Sequence, residues 1–169
     1  MSNAPDTAEI LLTDREYRNT IGMFATGVTV LTISHGENLR AMTANAISSL
    51  SLDPLLLLCC IDKRANCAPY FVIDGKFSLS ILSREQEALS NYFAGLWPKE
   101  SPPPDFELVR WHDSVRLAGA GAAIECLVHE IIEGGDHWIV VGRVVALWRS
   151  ETPLQPLIYF QGQYRELIP

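Results

Sequence analysis

The stretch from Met42 to Cys60, MTANAISSLSLDPLLLLCC, changes character at Asp53-Pro54. Its first half carries Thr43, Asn45, Ser48 and Ser49, whose hydroxyl and amide groups can donate and accept hydrogen bonds around a polar guest. Its second half is apolar and suits a core. Lys63-Arg64 follows at once, a local basic spot. Arginine offers a planar fork of donors and lysine a compact charge, so the pair can hold a small anion; a solvated surface pair is the other reading. His137, after Glu133-Gly-Gly-Asp136, offers an imidazole that can orient or stabilise charge on a guest.

The remaining chemistry-bearing residues do not assemble into a known reactive pattern. The four cysteines, at 59, 60, 67 and 126, lack C-x-x-C spacing. Cys59 and Cys60 read as small buried apolar residues, and nothing beside Cys67 implies an activated thiolate. Histidines 35, 112, 129 and 137 are widely spaced. His129 and His137 flank a hairpin and can approach each other, but two ligands do not make a metal centre, so no metal is expected. G-x-G-x-x-G, the phosphate-cradling Walker loop, H-E-x-x-H and G-x-S-x-G are all absent. The pattern is one of binding rather than of acid–base or nucleophilic catalysis.

These residues need elements to position them. Thr13 and Glu16 have capping-box spacing, and Tyr17, Ile21 and Phe24 recur on one face, which predicts a helix ending at Ala25-Thr-Gly27. VTVLTIS alternates as a strand. LRAMTANAISSLS reads as a second strand with polar residues toward a groove, and Asp53-Pro54 turns the chain into the strand LLLLCCI. DKRANCAPYFVIDG is expected to be a loop with a short helix. KFSLSIL is the next strand, and REQEALSNYFAGL a second helix capped by Ser83 with Gln86 at its matching third position. WPKESPPPDF is an irregular loop. GAAIECLVHEIIEGGDHWIVVGRVVALWRS is two long strands around an EGGD turn, and PLIYFQGQY a last strand or strand pair.

Strands outnumber helices, and hairpin links rule out a parallel βαβ fold. A closed or nearly closed antiparallel barrel with a few peripheral helices removes exposed edges from such a set. The chain has 169 residues, 48% hydrophobic and 20% charged, which fits one domain at 12–169 after a loose tail at 1–11. A formal charge of −7 argues against a nucleic-acid face. The N-terminal residues lack a signal-peptide pattern and PLLLLCCI is too short for a bilayer, so no membrane partner and a cytoplasmic home are expected.

Five motifs in order, FATGVTVLT at 24–32, MTANAISSLSLDPLLLLCCIDK at 42–63, EQEALSNYFAG at 85–95, EGGDHWIVVGRVV at 133–145 and YFQGQY at 159–164, resemble the short flavin reductase family. That resemblance implies an FMN-binding split β-barrel, antiparallel and Greek-key-like. It implies hydride transfer from NADH or NADPH to FMN or FAD, a homodimer, and reduced flavin supplied to a partner monooxygenase. The alternatives are a non-catalytic flavin-binding or storage protein, or a split-barrel oxidase or reductase of another substrate.

The resemblance also implies a site. Met42, Thr43, Ala44, Asn45 and Ala46 offer small side chains and backbone groups to a flat ring, and Ser48 and Ser49 donate to the ribityl or phosphate oxygens. Cys60, Asp62, Lys63, Arg64, Asn66 and Cys67 form the wall near the phosphate. His137 orients the nicotinamide or offsets charge on the reduced flavin, or else stabilises its hairpin. Phe93 covers the ring or packs its helix, and Tyr164 and Arg165 line the far end. The loop at 95–106 can control access. Three positions depart from the family pattern: Arg40-Ala41 where a glycine is usual before the methionine, Ala46 where serine is common, and Phe160 where histidine is common. Arg40 can contact a phosphate of FAD or NADPH, or face solvent.

Overall fold

The computed structural model describes residues 12–36 and 38–167; the N-terminal tail expected at 1–11 lies outside them. The first helix, α1 (Asp14–Ile21), has both halves of its capping box: Thr13 Oγ1 accepts from the Glu16 backbone, and Glu16 accepts from Thr13 N. After the short β1 (Thr26–Gly27), the strands are β2 (Thr29–His35), β3 (Asn38–Ala44), β4 (Ile47–Leu52), β5 (Leu55–Asp62) and β6 (Lys76–Ile81). A single 3-10 turn at Ala68–Tyr70 is the short helix of the β5–β6 loop. A further 3-10 turn capped by Ser83 and Gln86 leads into α2 (Glu87–Phe93). The chain ends with β7 (Leu108–Trp111), β8 (Ser114–Leu117), β9 (Ala122–Gly134), β10 (His137–Arg149), β11 (Ile158–Phe160) and β12 (Gln163–Arg165).

Seven strands form one antiparallel sheet in the order β3-β2-β6-β9-β10-β5-β4. The long β9–β10 hairpin is its spine, with bulges between Val141 and Gly142 and between Val144 and Ala146 that bend the sheet. Bending brings the loop after β5 back onto β3, where Cys67 Sγ of that loop and Met42 Sδ of β3 meet at 3.0 Å. The result is a split barrel, mainly β with few helices. Its interior is filled by Leu31, Ile33, Leu57, Cys59, Ile61, Phe77, Leu79, Cys126 and Val140. Gly142 is required there: a Cβ would lie 2.6 Å from Phe77 Cζ.

A second core lies on the other face of β2, where Val28 and Val30 meet Leu82, Leu89 of α2, Leu117 of β8 and Leu157. On that face β6 presents Ser78 and Ser80, both buried, which bond Val115 O and the Leu117 N–H of the β7–β8 hairpin. The hairpin's turn is clasped by Glu125 of β9, fully buried: His112 Nδ1 lies 3.1 Å from Oε1 and the Asp113 N–H donates to Oε2 at 3.2 Å. The ligand atoms of His112, Asp113 and Glu125 lie within 4.8 Å of one another, but Lys76 already holds Asp113 at 2.6 Å. The cluster therefore satisfies a buried carboxylate internally.

Two expectations change. The segment 39–51 is two strands rather than one: β3 pairs with β2 and β4 with β5, so the strands are opposite edges of the sheet, and the chain crosses at Asn45-Ala46. His129 and His137 do not approach. His137 pairs with Gly134 at the turn, whereas His129 sits at the bulge opposite Val141 and Gly142, about 15 Å along the strand at 3.3 Å per residue.

Candidate functional site

The crossing at Asn45-Ala46 opens a cavity. β5 alternates strictly, so Leu57, Cys59 and Ile61 enter the barrel while Leu58 and Cys60 point outward. Register places Ser48 of β4 beside Leu58, and the Cys60 N–H donates to Ala46 O at 3.0 Å. Opposite this outer face lie α1 and the β11–β12 turn. Gln161 and Gly162 both adopt positive φ, and the Gln161 N–H donates to Gly22 O at 2.9 Å, fixing the end of α1. This half-open cavity holds about 630 Å³, inside the roughly 300–1,000 Å³ of small-molecule sites. Ile21, Phe24, Ile47 and Leu58 give it apolar walls; Thr26, Asn45, Ser48, Cys60 and Tyr159 give polar edges, and Arg18 the charge. Asn45 Nδ2 donates to Thr26 Oγ1 at 3.3 Å, which orients the amide.

A smaller cavity of about 200 Å³ shares Asn45 and Tyr159 and is lined by Val28, Thr43, Ser90, Ala94, Leu96 and Tyr164. Thr43 Oγ1 donates to Ser90 O at 2.6 Å, joining β3 to α2. The Tyr164 hydroxyl donates to Asn91 Oδ1 at 3.2 Å, so the Ser90 hydroxyl is the donor in its 2.8 Å bond to Tyr164. Burial raises the Tyr164 phenol above its ordinary range. Leu96, at the start of the access loop, reaches this cavity, while Pro104 to Glu107 line another beside Gln86 and Gly119.

The outer face of β5 continues past Cys60 to Asp62. Register sets His137 of β10 opposite Asp62 and Ile139 opposite Cys60, so Asp62 and His137 stand two residues beyond the cavity wall on the same face. Arg64 donates to both Asp62 oxygens, Nε at 3.1 Å and Nη2 at 2.8 Å, and these bonds hold the carboxyl far below the usual range. His137 Nδ1 lies 2.7 Å from Asp136 Oδ1, which lowers the Asp136 carboxyl. Lys63 has the opposite parity. Its ammonium pairs with Glu133 at 2.5 Å and lies 4.6 Å from the Trp138 ring centroid.

The other sequence-derived residues spread around the barrel. Met42 packs on the barrel core, and Cys67 is buried against it, its thiol pushed up to about 11 by desolvation. Arg40 stacks 5.4 Å over Tyr70 and lines a separate opening with Asn66, Asn38 and Pro69. Ala44 is buried and its carbonyl accepts from Thr29 Oγ1 at 2.7 Å. Ser49 and Arg165 are exposed, and Phe160 is half-buried. Phe93 stacks edge-on with Tyr92 and Phe106. Of the sequence set, the structure brings Asn45, Ala46, Ser48 and Cys60 to one cavity and Thr43 and Tyr164 to its neighbour. Asp62 and His137 flank them on the β5–β10 face. Arg18, Ile21, Phe24, Thr26 and Tyr159 are added by the tertiary structure. Three of these lay within quoted motifs, but only long-range packing shows that they meet Ala46.

Comparison with known proteins agrees with this architecture. Residues 21–167 match the model of the flavin reductase like domain. The chain is 40% identical over 152 residues to the reductase component of 4-hydroxyphenylacetate 3-monooxygenase from Thermus thermophilus, covering 90% of this chain and 95% of that protein. It is 35% identical to an NADH-dependent FAD reductase of Streptomyces globisporus, over 91% of this chain and 86% of the relative. Among solved structures, the native flavin reductase PheA2 superposes with a TM-score of 0.83 at 34% identity, covering 94% of this chain and 100% of that one. The NADH:FAD oxidoreductase of Streptomyces globisporus in complex with NAD and FAD fragments gives 0.80 at 34% identity, covering 92% and 94%.

Proposed function

The chain belongs to the flavin reductase-like family, and from that premise we propose that it is an NAD(P)H:flavin oxidoreductase passing a hydride from NADH or NADPH to FMN or FAD. The observation that carries this reading is the cavity at the β3–β4 crossing. Its volume of about 630 Å³ has room for a planar ring, and it is small-residued at Gly22, Ala46 and Ser48, apolar on its walls and polar at Thr26, Asn45 and Tyr159. Those residues fit a flavin, which has an apolar dimethyl edge and a hydrogen-bonding pyrimidine edge. When bound, the flavin supplies the two-electron acceptor.

The protein's share is placement. Asn45, Ser48 and Thr26 fix the polar edge, and the backbone at Ala46 approaches closely because only a methyl intervenes. Ile21, Phe24 and Leu58 keep water from the ring. His137, beside Asp62 and oriented by Asp136, faces the side from which a nicotinamide approaches, and its imidazole orients that ring or offsets charge arising on the flavin. Orientation and fixed dipoles supply the rate gain, and among the described residues lining the cavity there is no carboxylate or imidazole to act as a general acid–base pair.

Relatives named as reductase components of monooxygenases support a partner oxygenase as the consumer of reduced flavin. A homodimer fits the exposed apolar residues Leu50, Leu52, Leu55 and Leu147 on the sheet. A cytoplasmic setting fits the cofactors. Among the described residues no helix is long and apolar enough to cross a membrane.

The test is initial-rate NAD(P)H oxidation with each of the four nicotinamide–flavin pairings, alongside flavin binding by fluorescence quenching. Turnover with at least one pairing is expected. His137→Ala should then lower kcat/KM for the nicotinamide about tenfold, the size of one modest electrostatic contact, while flavin affinity holds. Tight binding without turnover would make the protein a flavin carrier, and no binding of any flavin would reject the reading.

A further inference from the structure

Arg40, Lys63 and Arg64 are the basic residues that the sequence offers for a phosphate, yet Arg40 lines a separate opening and the other two are already engaged. Lys63 is bonded to Glu133 and stacked on Trp138, and Arg64 grips Asp62 through two guanidinium nitrogens. A cation so neutralised must give up its carboxylate before it can hold a ligand anion. Arg18 differs on each count. Among the described residues it is the only charged side chain lining the 630 Å³ cavity. Among the described residues, no acidic side chain forms an ion pair with its guanidinium. It stands on α1, which buries none of its residues and whose end is tied to the β11–β12 turn by the Gln161 N–H to Gly22 O bond. A cation held in the wall of a partly apolar cavity, with no internal counter-charge, is complementary to an anionic group of the guest.

We propose that Arg18 is the anion-binding residue of this cavity and takes a phosphate of the bound nucleotide cofactor. This rests on the flavin reductase reading and names the chemistry that its site selects. Two sources carry that phosphate, the flavin nucleotide and the nicotinamide dinucleotide, and each has an analogue without one. Riboflavin keeps the ring and ribityl chain of FMN, and 1-benzyl-1,4-dihydronicotinamide keeps the hydride donor of NADH.

The experiment compares wild type, Arg18→Ala, Arg18→Lys and Arg64→Ala. Flavin affinity is read by fluorescence quenching with riboflavin, FMN and FAD, and KM with NADH and the benzyl analogue. Far-UV circular dichroism and the melting temperature serve as controls; α1 is exposed, so both should be unchanged in the Arg18 variants. Loss of a charge-assisted hydrogen bond weakens binding by about ten- to a hundredfold. If the flavin phosphate is the partner, Arg18→Ala weakens FMN and FAD by that factor and leaves riboflavin unchanged. If the nicotinamide phosphates are, KM for NADH rises and that for the benzyl analogue does not. Arg18→Lys retains part of either effect. The proposal is overturned if Arg18→Ala changes neither ratio, if it weakens the phosphate-free analogues equally, or if Arg64→Ala alone reproduces the loss. A wild type that binds no flavin at all would instead reject the underlying reading, and this proposal with it.

Discussion

The two faces of β5 have opposite fates although their residues interleave. Leu57, Cys59 and Ile61 point into the barrel and are essentially inaccessible; Leu58, Cys60 and Asp62 point outward to the cavity and the His137 face. Cys59 and Cys60 make the contrast sharpest. Neighbours of one type, they are separated by a single pleat. Cys59 is closed in by Cys126 and the barrel core, and burial pushes its thiol far above the ordinary range. Cys60 lines the cavity. Position along a strand therefore says little about role, whereas parity relative to the core says nearly everything. The inner face should govern stability and the outer face ligand binding.

The largest effect should come from the inner face. Ile61→Ala empties a fully buried site and is expected to cost about 2–5 kcal/mol, read from urea or thermal unfolding, with flavin affinity of the folded fraction preserved. Leu58→Ala, one pleat away in sense and on the outer wall, should reverse that pattern. A loss of affinity from Ile61→Ala larger than from Leu58→Ala would break the division. Next comes Ala46→Leu, which puts a branched side chain into the cavity. Flavin affinity should fall at least tenfold, about 1.4 kcal/mol, while stability stays within about 0.5 kcal/mol. Unchanged affinity would mean that the ring lies elsewhere.

Thiol labelling separates the cysteines directly. An alkylating reagent on native protein should modify Cys60 first, and bound FMN should slow it. Cys59 and Cys126, whose thiol burial raises to about 12, should react only on unfolding. Mass spectrometry of the labelled peptides reads the order. Smallest is the pH response of the Asp62–Arg64 tie at the end of the outer face. The folded Asp62 carboxyl titrates below its unfolded value, so the tie's stabilisation is present above the ordinary carboxylate range and is lost as pH falls below about 4. Both partners are solvent-accessible and screened, so the melting-temperature difference between wild type and Asp62→Asn should be slight, constant from neutral pH down, and shrink below that point.

Local signals were legible where the partner is near in sequence. The capping pairs Thr13–Glu16 and Ser83–Gln86 and the EGGD hairpin each lie within a few residues, so their geometry is set by spacing. The β7–β8 hairpin carries no comparable mark. Its turn is His112-Asp113, with His112 at φ +50, and what secures it is Glu125, buried on a strand outside the hairpin. The strand break at Asn45-Ala46 was hidden for the same reason. Alternation runs on through the motif, and only pairing with β2 on one side and β5 on the other interrupts it.

By itself the sequence determined the inventory: antiparallel strands, two capped helices, and the motif order that marks the family, because these depend on residue type and short spacing. The tertiary structure decided which residues share the cavity and which cations are already spent. Lys63 meets Glu133 and Arg64 meets Asp62 by register and turn geometry, while Arg18 arrives at Ala46 only when α1 is tied to the far end of the chain. Charge is a property of a side chain, but availability depends on its neighbours, and those are fixed by contacts distant in sequence.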